Sequence, residues 1–151
     1  VGPVVISEIM YNPPADRQLL EFVEIYNPTS ATIDLTGWTI DGIGYDFPNG
    51  TTIGPGHQLV LLPFSPLNTN DVAAFNSAYD VDIAANPSSY LGPYPEQLDN
   101  RGERLTIRRA VARGHPGSPV RGDILWHRIN PDMADRCDTC KRRTVFHNGD
   151  H

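Results

Sequence analysis

Residues 21–38 read EFVEIYNPTSATIDLTGW. In an extended chain, Glu21, Val23, Ile25 and Asn27 fall on one face, and Phe22, Glu24 and Tyr26 on the other. The β-branched and aromatic residues favour a strand, and Pro28 ends it because proline cannot donate to a ladder. A second run closes on Gly37-Trp38. The two glutamates raise the question of chemistry. An acid/base pair needs carboxyls converging on one spot, about 5–10 Å apart. Three positions apart on a strand, Glu21 and Glu24 point to opposite faces. They are therefore framework: one solvated, the other held by neighbouring donors, since a carboxylate buried without them is costly.

The same pattern extends in both directions. VVISEIMYN (Val4–Asn12) places Val4, Ile6, Glu8 and Met10 on one face and Val5, Ser7, Ile9 and Tyr11 on the other, and stops at Pro13-Pro14. The strand of the opening stretch begins at Leu19. A third is expected around Gly37 to Asp41. YDFPNG (45–50) offers a short strand and a turn at Asn49-Gly50. HQLVLLP (57–63) is a continuous apolar run and reads as a strand buried on both faces. A short helix follows, capped by Asn70 or Asp71, with Val72, Phe75 and Tyr79 on one side. LGPYPEQLDNRGE (91–103) consists of turn signals. RLTIRR (104–109) alternates, with Leu105 and Ile107 inward and Arg104, Thr106 and Arg108 outward. Beyond Arg109 the period is lost, apart from one strand near 123–129.

Short strands broken by 14 prolines and 13 glycines in 151 residues predict an all-β, antiparallel sandwich with one short helix. No βαβ unit is expected. No apolar run approaches the ~18 residues that a membrane helix needs, so membrane insertion is not expected. Val1 leads almost directly into a strand, as in a domain cut from a longer protein.

Charge divides the chain. Up to Asn100 the only basic residue is Arg17, against twelve acids, a balance of −11. From Arg101 onward eleven basic residues face six acids, a balance of +5. Both cysteines, Cys137 and Cys140, lie in that last part, so the first 136 residues need no disulfide and do not report a redox compartment. The expected division is a sandwich over 1–112 and an atypical basic segment over 113–151.

Five stretches, ISEIMYNP (6–13), EFVEIYNPTSATIDLTGWTI (21–40), YDFPNGTTIGPGHQLVLL (45–62), YLGPY (90–94) and LDNRGERLTI (98–107), occur in an order and spacing that resemble the lamin tail domain family in its bacterial form. The resemblance covers about the first 109 residues. It implies an immunoglobulin-like sandwich that is not an enzyme and uses no cofactor. It also implies an interaction or structural module of a larger secreted or cell-surface bacterial protein, binding other domains or a surface polymer through loops or an open sheet edge. The alternative is an accessory domain that positions a neighbouring nuclease-type or phosphoesterase-type domain. The motif residues are Glu8, Asn12, Glu21, Glu24, Asn27, Gly37, Trp38, Asp99 and Asn100.

Each of these has a structural role available. Asn27 and Asp99-Asn100 suit turns closed by side-chain bonds to backbone N–H groups, rather than sugar or metal contacts. Trp38 and Tyr26 suit the core, and Gly37 suits a close crossing beside the large ring. A calcium site from Asp71, Asp80 and Asp82, or from Glu8 and Asp16, lacks a D-x-D-x-D-G run. Cys137 and Cys140 with His147 and His151 have zinc-like composition, but only six residues separate Cys140 from His147 and no apolar core surrounds them. The basic runs at 108–109 and 141–143 carry no interleaved aromatic platform, and the acidic part repels nucleic acid, so nucleic acid is not an expected partner.

The family pattern implies a turn and an edge strand after RLTIRR, ending in Tyr-Gly and then Trp-Pro. None of these follows Arg109. One permitted codon set for DILWHRINPDMADRC, read one base later, yields I-S-Y-G-I-G-S-I-P-T-W-P-T-G. This motivates the hypothesis of a reading-frame shift near residues 109–113. Coding DNA in which no small insertion or deletion restores the ending refutes it. A replaced edge strand would favour strand-exchange oligomers.

Overall fold

The structure, a computed structural model, describes residues 3–13, 17–99 and 104–109, with the backbone of two later strands at 125–128 and 144–145. Five strands form one sheet in the order β11 (Thr144–Val145), β1 (Val5–Met10), β2 (Phe22–Tyr26), β7 (Gln58–Leu61), β8 (Tyr90–Leu91). Four form a second, in the order β10 (Leu125–Arg128), β9 (Arg104–Arg108), β4 (Thr39–Asp41), β5 (Tyr45–Asp46). A two-stranded ribbon pairs β3 (Ile33–Asp34) with β6 (Thr52–Ile53). Ile6, Ile9, Val23, Ile25, Leu59 and Leu61 from the first sheet meet Ile40, Tyr45, Leu105 and Ile107 from the second in one buried core. The result is an all-β sandwich, as the strand pattern predicts.

A third layer covers part of the first sheet's outer face. Helix α1 (Thr69–Tyr79) buries Phe75 against Met10, Phe22, Leu62 and Phe64. Phe75 meets Phe22 edge-on at 5.9 Å and Tyr79 at 4.7 Å between ring centroids. The Tyr79 hydroxyl donates to the Leu20 carbonyl at 2.5 Å. The Val72, Phe75, Tyr79 stripe thus faces the sheet as its spacing predicts, but the cap is Asn68 rather than Asn70 or Asp71. The Asn68 side chain accepts from the Asn70 and Asp71 N–H groups.

Three further expectations need correction. First, β7 and β8 run parallel, Val60 opposite Tyr90, with α1 in the connection between them, so one βαβ unit is present in a mainly antiparallel fold. Second, β1 does not alternate strictly. Its register to β2 shifts between Ile6 and Glu8, leaving Ser7 as the extra residue of a bulge. Val4 and Ile6 before the bulge, and Ile9 and Tyr11 after it, therefore all reach the core, while Glu8 and Met10 turn outward. Third, Thr106, on the face opposite Leu105 and Ile107, is buried at 4% exposure. Gly37 is exposed. It takes φ 73° in a turn closed by the Trp38 N–H donating to the Leu35 carbonyl at 2.9 Å. Gly42 (φ 101°) stands at a close approach, where a Cβ would lie 2.4 Å from Leu105 Cδ2 and 2.7 Å from the Arg104 carbonyl oxygen.

Candidate functional site

β2 sorts its polar residues by parity. Glu21, just before the strand, points inward and is 1% exposed, and its Oε2 accepts from the Leu98 N–H at 3.3 Å. It ties the 95–99 segment to the inner face of β2. Asn27, just after the strand, is fully buried and acts as a corner brace. Its Nδ2 donates to the carbonyls of Ala31 (2.8 Å), Ile53 (3.0 Å) and Gly54 (3.1 Å). Its Oδ1 accepts from the Thr29 N–H (3.0 Å) and hydroxyl (2.7 Å). One side chain therefore joins the end of β2 to the 29–31 turn and the β6 end, and its own backbone bonds to His57 and Gly56 close the same corner.

Glu24 points the other way. On the outer face a single row crosses four strands: Glu8 on β1, Glu24 on β2, Val60 on β7 and Tyr90 on β8 are register partners in turn. Directly opposed residues hold their Cβ atoms about 4.5–5.5 Å apart, so the two carboxylates are close neighbours. Ser7, released by the bulge, donates its hydroxyl to Glu24 Oε1 at 2.6 Å. The row is the floor of a cavity of about 170 Å³ whose walls are Phe22, Phe75, Tyr79 and Val81. A shallower trough of about 380 Å³ continues from Glu24, Val60 and Tyr90 past His57, Gln58, Asn86 and Ser89. Burial, and then the negative charge of Glu24, raise the Tyr90 phenol above the ordinary tyrosine range.

Chemically the groove offers carboxylate oxygens at one end and ring faces and edges at the other, a lining that suits a cation with an apolar stem. Glu21 and Glu24 do not converge. Among the described residues no group of three or more His, Cys, Asp or Glu is placed to hold a metal ion.

The model of the lamin tail domain family matches residues 1–112. The chain belongs to the lamin tail domain family. Lamin tail domains are non-enzymatic modules of immunoglobulin-like fold, in keeping with the two-layer core. No curated protein and no solved structure matches the chain.

Within this lamin tail domain the described motif residues do not form one site. Glu21 and Asn27 brace the interior. Glu8 is buried at 4% exposure and Glu24 half-buried in the outer groove. Trp38, 8% exposed, lies in the core with the Arg109 guanidinium 5.5 Å from its ring centroid. Tyr26 is only half-buried, because it points outward from β2. Asn12 is half-buried in the bend after β1, and Asp99 is exposed. The calcium candidates are dispersed into local roles: Asp71 accepts from Asn68, Asp80 takes a left-handed conformation (φ 53°) after α1, and Asp82 accepts from the Ala84 N–H. Asn100, Asp16, Cys137, Cys140, His147 and His151 lie outside the described residues, as does the 109–113 junction beyond Arg109. β10 falls within the 123–129 span. The sequence does not mark Val60, Tyr79, Val81 and Tyr90 as groove residues. Their only advance signal is the outward parity of Glu24.

Proposed function

We propose that this lamin tail domain is a non-catalytic interaction module of a larger secreted or cell-surface bacterial protein, and that it meets its partner at the outer groove and the adjoining loops. The observation that carries this reading is the division of labour in β2. Glu21 is committed to the Leu98 N–H inside the sandwich, while Glu24 stands on the opposite face among aromatic rings. The arrangement favours holding a ligand over moving a proton between two acids, since the acids cannot reach one substrate. The groove lies beside β8, a two-residue edge strand, so a partner can also approach along the sheet margin.

The purified chain, assayed for bound zinc and calcium and for phosphodiester turnover, tests the reading. The expected result is neither stoichiometric metal nor turnover. Turnover that falls when Glu21→Gln or Glu24→Gln is introduced overturns it, as does a zinc-loaded chain. Flanking coding DNA without a signal peptide or neighbouring domain overturns the secreted, multidomain setting.

A further inference from the structure

We propose that Asn49-Gly50 is a site of spontaneous covalent modification by water, and that Thr36 sets its rate by anchoring the Gly50 nitrogen. The site stands apart from the interaction-module reading and does not depend on it. An asparagine followed by glycine can close on itself. The glycine nitrogen loses its proton and bonds to the asparagine Cγ, the Cγ–Nδ2 bond breaks, and ammonia leaves. Water then opens the resulting succinimide at either carbonyl, giving aspartate or isoaspartate. The net exchange takes up water and releases ammonia, with no oxidant or reductant. Asn49 and Gly50 are both exposed. A Cβ built on Gly50 would meet nothing within 4 Å, so the turn stands in open space with water at hand. Gly50 is required by its φ of 83° rather than by crowding, and the same choice of residue creates the reactive pair.

The shape of the turn holds the reaction back. The Thr51 N–H donates to the Pro48 carbonyl at 3.2 Å, Gly50 has a positive φ and Asn49 does not. This is the sign pattern of a type II turn. Ring closure needs the Gly50 nitrogen nearly eclipsed with Asn49 Cβ, whereas a type II turn holds it about 120° away. The peptide between Asn49 and Gly50 must therefore rotate, and the turn's own hydrogen bond does not restrain its N–H. Thr36 does, because that N–H donates to Thr36 Oγ1 at 2.9 Å. Thr36 is oriented in turn by Asp34, whose carboxylate accepts from the Thr36 N–H at 2.9 Å and from its hydroxyl. Asp34 is itself fixed opposite Thr52 in the β3–β6 ribbon. Thr36 and Gly50 are 14 positions apart in the chain, so only the folded protein supplies this anchor. Reaction adds a carboxylate to a part of the chain already at −11, and isoaspartate also inserts a main-chain carbon between Pro48 and Thr51.

The test incubates the full chain in neutral buffer and follows Asn49 by peptide mapping, reading the mass gain of an amide-to-acid exchange and the separation of aspartate from isoaspartate. Asn148-Gly149, the chain's other Asn-Gly pair, lies outside the described residues and serves as an internal reference. The expected result is slow conversion of Asn49 in buffer and faster conversion in denaturing urea. Thr36→Val should speed conversion in buffer roughly two- to tenfold, the weight of one net hydrogen bond, and leave the rate in urea unchanged. Thr36→Ser keeps the acceptor and should stay near the parent rate. The parent, brought by urea to the same folded fraction as Thr36→Val, should not show the same rise, which separates a local anchor from general loosening. The comparison of buffer with urea in the parent keeps the test decisive even if the valine variant fails to fold. Equal parent rates in buffer and in urea overturn the proposal. So does a valine variant no faster than the parent, a serine variant as fast as valine, an equal rise in the matched parent, or a parallel rise at Asn148. None of these outcomes bears on the metal and turnover assays, so the modification site and the module reading fail separately.

Discussion

Replacing Asn27 with alanine tests the brace that holds the sandwich corner. The substitution withdraws the donor from three carbonyls and the acceptor from Thr29. The Ile53 carbonyl bond is fully buried, and an acceptor stranded there costs about 1–3 kcal/mol. The Ala31, Gly54 and Thr29 groups are part-buried, so water replaces some of what they lose, and together they contribute about 1–2 kcal/mol. The expected loss is therefore about 2–5 kcal/mol, a large share of the ~5–15 kcal/mol that holds a typical domain folded. With a urea slope near ~2 kcal/mol/M, the unfolding midpoint falls by about 1–2.5 M. Emission from buried Trp38, checked against far-UV circular dichroism, reads the transition. Asn27→Asp adds a signature of its own. It keeps the acceptor facing Thr29 but turns a second oxygen toward three carbonyls. Its folded pKa then lies above the unfolded value of about 3.9. Stability relative to the parent is highest below that unfolded value and is lost as pH rises through the folded pKa. A loss under ~1 kcal/mol for Asn27→Ala, or an Asp variant insensitive to pH between 4 and 7, refutes the brace.

Other perturbations follow from the same coordinates. Glu21→Gln retains an acceptor for the Leu98 N–H and costs about 1 kcal/mol or less, whereas Glu21→Ala strands that donor and costs about 2–4 kcal/mol by urea unfolding; equal losses refute the assignment. Phe75→Ala removes the centre of the aromatic cluster and costs about 3–5 kcal/mol, with helical circular dichroism lost at lower urea than the sheet signal if α1 undocks first. Glu24→Gln lowers the Tyr90 phenol toward the ordinary tyrosine range without restoring it fully, because burial is the larger cause; NMR titration of the ring reads this, and no movement contradicts the shared row. Exposed Asp34 titrates below an ordinary aspartate because the Thr36 hydroxyl and N–H both donate to it. Its contribution is present above the unfolded pKa and lost as pH falls through the folded one, and Thr36→Val should raise its carboxyl titration.

The two glutamates of β2 show how far strand parity carries a sequence reading and where it stops. Parity alone separates Glu21 from Glu24, because Phe22–Tyr26 has no bulge and its ends are fixed by a 3-10 turn before it and Pro28 after it. The same rule misleads in β1. There VVISEIMY is apolar on both faces, so no contrast betrays the extra residue at Ser7, and the bulge reverses which side chains face the core. The cap is ambiguous for a related reason. Asn68, Asn70 and Asp71 all have capping side chains, and only the start of α1 at Thr69 selects Asn68. The parallel β8 strand is two residues long and carries no periodicity to detect.

The groove was least legible because it belongs to no single segment. Glu8, Glu24, Val60 and Tyr90 come from four strands, and they become neighbours only through three registers. One of those registers is shifted by the Ser7 bulge. Without that bulge, strict alternation would carry the second half of β1 onto the opposite face: Glu8 would stand on the core side with Ile6, and Ile9 would turn outward. The extra residue that defeats the sequence pattern is thus the device that moves a carboxylate from the interior to the groove. It also frees the Ser7 hydroxyl to donate to Glu24. Bulges re-aim side chains at binding surfaces; deleting Ser7 makes Ile6–Ile25 and Glu8–Glu24 consecutive pairs of a regular ladder, so every other side chain should keep its face and, as with Ser7→Ala, the loss should be confined to the hydroxyl that donates to Glu24.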